Sequence, residues 1–258
     1  NNFMKKITKL VVGATLAATM CVGAVAISGC FGPKDVTGTA YGMTHGAGYV
    51  SCATVVKNGD TIKDVKLVEV CLPTQVTAGE DVPAEDKVEV AGSRGTSVYY
   101  KSVSYGEVTF TYDVEAKAYK TGDKTIVEFF QDEANCKAYY EAVLGDKITV
   151  KVGTENKSGV MTNAKLNKET NGYWTKQDAE GNDYSRWMLN RDATCKYVMD
   201  NGVANLLKLT KAEEAVKDSK GADAKYWMDG EINTGATWTD LNGTKENSVS
   251  YGQLIVNA

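Results

Sequence analysis

The sequence predicts an α+β fold, an antiparallel, sheet-rich first half with helices packed from the second half. Two observations carry this. Through the first half, Val-, Tyr- and Thr-rich segments alternate with polar neighbours, the period of a strand that buries one face. In the second half, helix capping and stop signals take over.

Residues 36–72 read as β structure. A strand over 49–57 meets Asn58-Gly59-Asp60, a hairpin turn signal because Asn and Gly tolerate positive φ, and a second strand follows over 62–72. Residues 73–89 are polar, hold two of the three prolines and read as a loop. Over 97–119, Val98, Tyr100, Val108, Phe110, Tyr112 and Val114 alternate with polar residues, and 124–130 reads as a further strand. Residues 132–144 carry acids in the first turn and Gly145 just beyond the end, which predicts a helix. A strand is expected over 147–152, loop-rich chain over 156–181, and a helix over 184–207 broken near Gly202. Thr210 and Glu213 form a capping-box pattern that starts a short helix ending before Gly221, and 247–256 is the expected final helix.

The amino terminus is read as a targeting segment. Met4 is followed by Lys5, Lys6 and Lys9, then by an uncharged apolar run over 10–27; Asn1, Asn2 and Phe3 precede the expected initiator. The run ends in Ile27-Ser28-Gly29-Cys30, which resembles a bacterial lipobox. That pattern implies a signal peptide over 1–29 and a diacylated Cys30 as the first mature residue. A short tether over 30–36 and a domain over 37–258 follow. The alternative is an uncleaved membrane helix, since a span takes about 20 apolar residues. Acyl chains anchor because each buried methylene contributes about 0.8 kcal/mol. The expected location is the cell membrane, lipid-anchored on the extracytoplasmic face.

Charge excludes some functions. The whole chain has 29 basic and 33 acidic residues; loss of the leader removes three lysines and leaves a formal charge of −7. An acidic exported chain without a basic patch is not a nucleic-acid binder. Cys21 leaves with the leader and Cys30 takes lipid, so Cys52, Cys71, Cys136 and Cys195 remain. They can form two disulfides in three connectivities or stay free and buried, and no pair has CxxC spacing.

Most catalytic signatures are missing. His45, in a glycine-rich loop, is the single histidine, so HExxH and histidine zinc clusters are excluded. There is no GxxxxGK[ST], no GxGxxG and no GxSxG. The acidic run from Asp178 to Asp183 has oxygen ligands around Gly181 but not the spacing of a calcium loop, and reads as a polar turn.

One motif remains: Thr234-Gly235-Ala236-Thr237, between the aromatic stretch containing Tyr226 and Trp227 and the adjoining Trp238. Two residues with almost no side chain leave the Thr237 hydroxyl open to an approaching enzyme. This motif resembles the flavin attachment motif of the FMN-binding domain family. Members include the FMN-bearing subunits of sodium-translocating NADH:quinone oxidoreductase and Rnf complexes, and flavin-carrying surface lipoproteins. The glycine-rich opening from Thr37 to Gly42, with its following hairpin, is similar to the start of that domain. The resemblance covers roughly 37–72 and 224–258 and gives the central region no counterpart. It implies an FMN-binding-domain-like fold and covalent FMN on Thr237, placed there as a phosphoester by a flavin transferase that uses FAD. Thr234, Gly235 and Ala236 would shape the loop, and Trp227 and Trp238 would flank the ring. Glu231 stands six residues before the acceptor, where the family usually has Asp. Asp240 to Gly243 stand where a helix usually follows at once. The function implied is an extracellular electron carrier fed by a membrane donor, itself the transferase's substrate and not an enzyme. The alternative from composition is a cofactor-free lipoprotein that captures a ligand or partner through its aromatic loops.

Overall fold

The computed structural model describes residues 33–44, 48–92, 95–152, 157–204, 206, 237–239, 245–247 and 251–258. The expected signal segment with Cys30, His45, the capping-box pattern at Thr210, and Trp227, Glu231, Thr234, Gly235 and Ala236 lie outside them.

Three long strands, β1 (Asp35–Thr44), β2 (Tyr49–Asn58) and β3 (Thr61–Cys71), form an antiparallel meander in the order β1-β2-β3. The expected Asn58-Gly59-Asp60 turn closes β2 on β3, with Gly59 at φ 58° and a bulge at Val56/Lys57. Pairing runs from Asp35↔Asn58 to Thr44↔Tyr49 on one side of β2 and from Tyr49↔Cys71 to Asn58↔Thr61 on the other.

Both faces of this meander are buried, which period-2 alternation makes possible. Tyr41, Met43, Val50, Cys52, Val68 and Val70 face one core. Ala40, Ala53, Val55, Val65 and Leu67 face the other.

The first core is completed by a six-stranded sheet and a helix. The strands are β6 (Ser102–Tyr105), β7 (Val108–Asp113), β8 (Ala118–Thr121), β9 (Lys124–Thr125), β10 (Ile148–Val152) and β11 (Lys157–Met161), in the order β11-β10-β6-β7-β8-β9. Helix α2 (Glu133–Leu144) is capped by the Asp132 side chain, which accepts from the Ala134 amide at 2.9 Å. Its Tyr139 packs edge-on against Tyr105 and Phe130 at centroid distances of 5.4 and 5.3 Å. Hairpin β4 (Lys87–Gly92) with β5 (Gly95–Tyr100) is separate. The second core is closed by α4 (Arg186–Asn201), through Trp187, Cys195 and Val198, and by α5 (Tyr251–Asn257), through Leu254 and Ile255. The architecture is mixed α+β, with antiparallel sheets mostly in the first half and helices later.

Several boundaries differ from the sequence reading. The strand expected over 124–130 stops at Thr125, and α1 (Ile126–Phe129) follows. Thr125 and Glu128 form a reciprocal capping box, and the Glu128 carboxylate accepts from the Thr125 amide at 2.7 Å. That local cap outweighs the β-branched run. The stretch 156–181 contains β11, α3 (Asn163–Leu166) and β12 (Thr175–Gln177). β13 (Asp183–Ser185) pairs with β12, so the long helix begins only at Arg186, where Ser185 accepts from the Met188 amide. The loop over 73–89 contains two 3-10 turns, Pro73–Gln75 and Ala84–Asp86, and the start of β4. The last helix starts at Tyr251, after a strand that takes Lys245–Asn247.

The four cysteines are free and buried. Burial pushes the Cys71 thiol up to about 11, and those of Cys136 and Cys195 up to about 12, from an ordinary value of 9.0. The folded chain holds these protons longer than the unfolded chain. Their stabilisation is therefore complete below pH 9 and is lost as pH rises through the folded values. Thermal melting followed by circular dichroism should show a Tm that is insensitive to these thiols near neutrality and falls as pH rises above 9.0. Iodoacetamide at about pH 8 should label the four thiols slowly until denaturant is added, because the thiolate is the nucleophile.

Gly38 belongs to the glycine-rich opening. A Cβ there would lie 1.5 Å from the Ala258 carbonyl oxygen, so β1 passes hard against the residue that follows α5. Gly38→Val should lower stability by about 1–3 kcal/mol, the usual cost of overpacking, measurable as a lower urea midpoint.

Candidate functional site

The alternation that buries Val65 and Leu67 on one face of β3 carries Glu69 inward with them, and its side chain is wholly buried. Ser51 is its register partner on β2, and Thr44 comes from the end of β1. Lys168 arrives from the segment after α3. There Asn167 forms a bridge with Val70, and the Lys168 amide donates to the Glu69 carbonyl at 3.0 Å. Main-chain pairing thus sets the side chains in place. Lys168 Nζ lies 2.5 Å from Glu69 Oε2, with both side chains fully buried.

The carboxylate has two further donors. Thr44 Oγ1 donates to Oε1 at 3.0 Å, and the Tyr251 hydroxyl, at the start of α5, lies 2.8 and 2.9 Å from the two oxygens. Ser51 Oγ shares a hydrogen bond with Thr44 Oγ1. The ammonium is capped by rings: Tyr49 and Tyr173 at 3.7 and 3.9 Å from Nζ to centroid, and Trp187 at 5.5 Å. Desolvation costs several kcal/mol per buried ion, so such a pair persists only with this degree of satisfaction. Burial first, then the Glu69 charge, pushes the Tyr251 phenol well above its ordinary value, so it remains a donor. Burial, then Tyr173, does the same for Tyr49.

A second ion pair flanks the first. Arg191 on α4 meets Glu169 and, at 2.8 Å, Asp192, with its guanidinium 5.2 Å from the Trp187 ring centroid.

Two cavities open beside the centre. One, about 400 Å³, is bounded by Cys71, Asn171, Lys165, Tyr173 and the Tyr49–Gln75 pair. The other, about 410 Å³, lies across that pair against Tyr99, Tyr112, Tyr119 and Lys117. The Tyr49 hydroxyl donates to Gln75 Oε1 at 3.1 Å, and this pair borders both cavities.

Of the sequence-selected residues, Thr237 and Trp238 are the first two of β14 (Thr237–Thr239), which pairs with β15 (Lys245–Asn247) as Thr237↔Asn247 and Trp238↔Glu246. In the sequence, Asp240 to Gly243 stand between these two paired strands. Asn247 is four residues before Tyr251. Extended chain covers at most about 3.6 Å per residue and paired Cα atoms lie about 5 Å apart, which keeps the Thr237 Cα within about 20 Å of that of Tyr251. The acidic run near Asp178 is a polar turn: Asp178 Oδ1 accepts from the amides of Glu180 and Asn182 at 3.1 and 2.8 Å. Among the described residues there is no cluster of metal-ligating side chains and no helix long and apolar enough to cross a membrane.

The Glu69–Lys168 centre was missed in the sequence. A carboxylate at an inward position of an apolar strand was the available signal for Glu69. Nothing local marks Lys168.

Replacing Lys168 with Met should destabilise the fold by about 3–5 kcal/mol, because the carboxylate is left buried without its cation. The double variant Lys168→Met with Glu69→Leu should recover much of that loss in the same urea titration. Tyr251→Phe should cost about 1.5–3 kcal/mol, the range for a hydrogen bond to a charged group. Comparison with protein-family models, with curated proteins and with solved structures found no match for this chain.

Proposed function

We propose that this protein is a membrane-anchored extracytoplasmic electron carrier, held by lipid on Cys30 and bearing FMN as a phosphoester on Thr237. The observation that carries the reading is the Thr234-Gly235-Ala236-Thr237 motif at the entry to β14, which connects through β15 to α5 and so to the buried centre.

The residues present fit such a group in two respects. Thr237 is the first residue of β14 and brings a hydroxyl, and in the sequence it follows Gly235 and Ala236, which carry almost no side chain. In addition Asn190, one turn beyond Trp187 on α4, is fully buried with neither polar atom of its amide partnered among the described residues. It retains donors and an acceptor for a polar edge.

Bound FMN supplies the redox chemistry. The chain's own part is to accept it and set its surroundings. Thr237 would hold the group: its hydroxyl oxygen would take the FMN phosphate from FAD on the transferase, with the phosphoanhydride bond broken, AMP leaving and the hydroxyl proton released. By the resemblance, Thr234, Gly235 and Ala236 would shape the loop, Trp227 and Trp238 would flank the ring, and Glu231 is at the sequence position where the family carries Asp. On this reading β1–β3 with α5 is the FMN-binding-domain-like part, and the six-stranded sheet is an addition to it. The partners are the transferase, a membrane electron donor and the membrane itself.

A second reading, a cofactor-free lipoprotein that captures a ligand, is favoured by the tyrosine-lined cavity beside Tyr49.

Co-expression of residues 30–258 with a flavin transferase, followed by denaturing electrophoresis, should give a flavin-fluorescent band. Thr237→Val should abolish the fluorescence and Thr234→Val should retain it. Reversal of those two results would move the acceptor to Thr234, and a dark wild-type band would remove the carrier reading.

A further inference from the structure

We propose that the two cavities on either side of the Tyr49–Gln75 hydrogen bond form one cleft that binds a diffusible planar aromatic anion, a fused-ring carboxylate or sulfonate. This site is distinct from Thr237 and does not depend on flavin attachment.

The walls set the shape. Tyr112 and Tyr119 are a cross-strand pair on β7 and β8, stacked edge-on at 5.2 Å, and both are nearly buried. The Tyr119 hydroxyl donates to the Tyr100 carbonyl at 2.6 Å, which holds the ring in place and engages its polar end. Tyr99 is half-buried on the separate β4–β5 hairpin. Val90 and Ile126 complete an apolar surface. Flat side walls of this kind favour a flat ring, through offset or edge-on packing. A volume of about 410 Å³ suits a small molecule and not a folded partner.

The charge sets the sign. Lys117 lines the aromatic cavity and Lys165 the polar one, both exposed, and among the described residues no Asp or Glu lines either. This is a cationic cleft on a chain of formal charge −4. Gln75 and Asn171 add amide groups for oxygen substituents. A ring against the tyrosines with its acid toward a lysine uses both properties.

The cleft is also preformed. Tyr49, its shared wall, covers the Lys168 ammonium with its ring and donates through its hydroxyl to Gln75. Swinging it aside would uncover a buried cation, so little ordering remains to be done on binding.

The test uses Thr237→Val, so that no covalent flavin contributes, with calorimetric titration of three probes. Naphthalenesulfonate should bind saturably, naphthol more weakly, and methanesulfonate not at all. Lys117→Gln and Lys165→Gln together should weaken naphthalenesulfonate about tenfold, the range for a charge-assisted hydrogen bond, and leave naphthol unchanged. Tyr99→Ala should weaken both aromatic probes at an unchanged Tm. Absence of saturable naphthalenesulfonate binding overturns the proposal. So does insensitivity to the lysine changes, or methanesulfonate competing as well as the aromatic probe, which would mark a surface cation site. The covalent-flavin assay on the wild-type chain is read separately, so either proposal can fail alone.

Discussion

The ion pair between Glu69 and Lys168 is the constraint around which the remaining parts are arranged. A carboxylate and an ammonium taken fully out of water are tolerated only if every lone pair and proton is engaged. The fold meets that condition with groups from five separate places: Thr44 at the end of β1, Ser51 on β2, Glu69 on β3, Lys168 after α3 and Tyr251 at the start of α5. Loss of Lys168 strands the carboxylate, and loss of Glu69 strands the ammonium. The centre therefore ties α5 to the meander through Tyr251, alongside the apolar contacts around Trp187 and Leu254. Apolar packing is tolerant of small slides, whereas a hydrogen-bonded ion pair is not.

The same interaction organises the surroundings. Tyr49 and Tyr173 are held over the ammonium and so become rigid walls of the neighbouring cavities. Arg191 with Glu169 continues the polar layer, and the Trp187 ring centroid is 5.5 Å from the Lys168 ammonium and 5.2 Å from the Arg191 guanidinium. The thiol of Cys71 sits at the margin. Burial raises its proton affinity while the nearby Lys168 charge works the other way, and burial wins.

How much of this was legible in the sequence depends on the range of the interactions involved. The β2–β3 hairpin and α2 were legible because their signals are local: Asn58-Gly59 supplies a turn, and Asp132 with Gly145 brackets twelve helical residues. Thr125 and Glu128 also formed a local signal, but the β-branched run around them masked it. The split of 184–207 into β13 and α4 was not legible, since the strand exists only through pairing with Thr175–Gln177. The buried centre was illegible for the same reason in stronger form. Glu69 and Lys168 are 99 positions apart, and either alone reads as an ordinary surface charge. The threonine motif shows the converse: it stands out in the sequence, while the described residues give it only a strand start and a short connection to Tyr251.

The bond from Tyr251 to Glu69 spans 182 positions, and Gly38 lies beneath Ala258. A polypeptide emerging in order thus makes its meander early, yet has no way to seal it before residue 251 follows. Long-range closure of this kind slows folding, because loop entropy is lost before contacts compensate. The order of assembly follows from the map of contacts: the meander pairs between near neighbours in sequence, while its buried carboxylate waits for the Tyr251 donor until α5 docks.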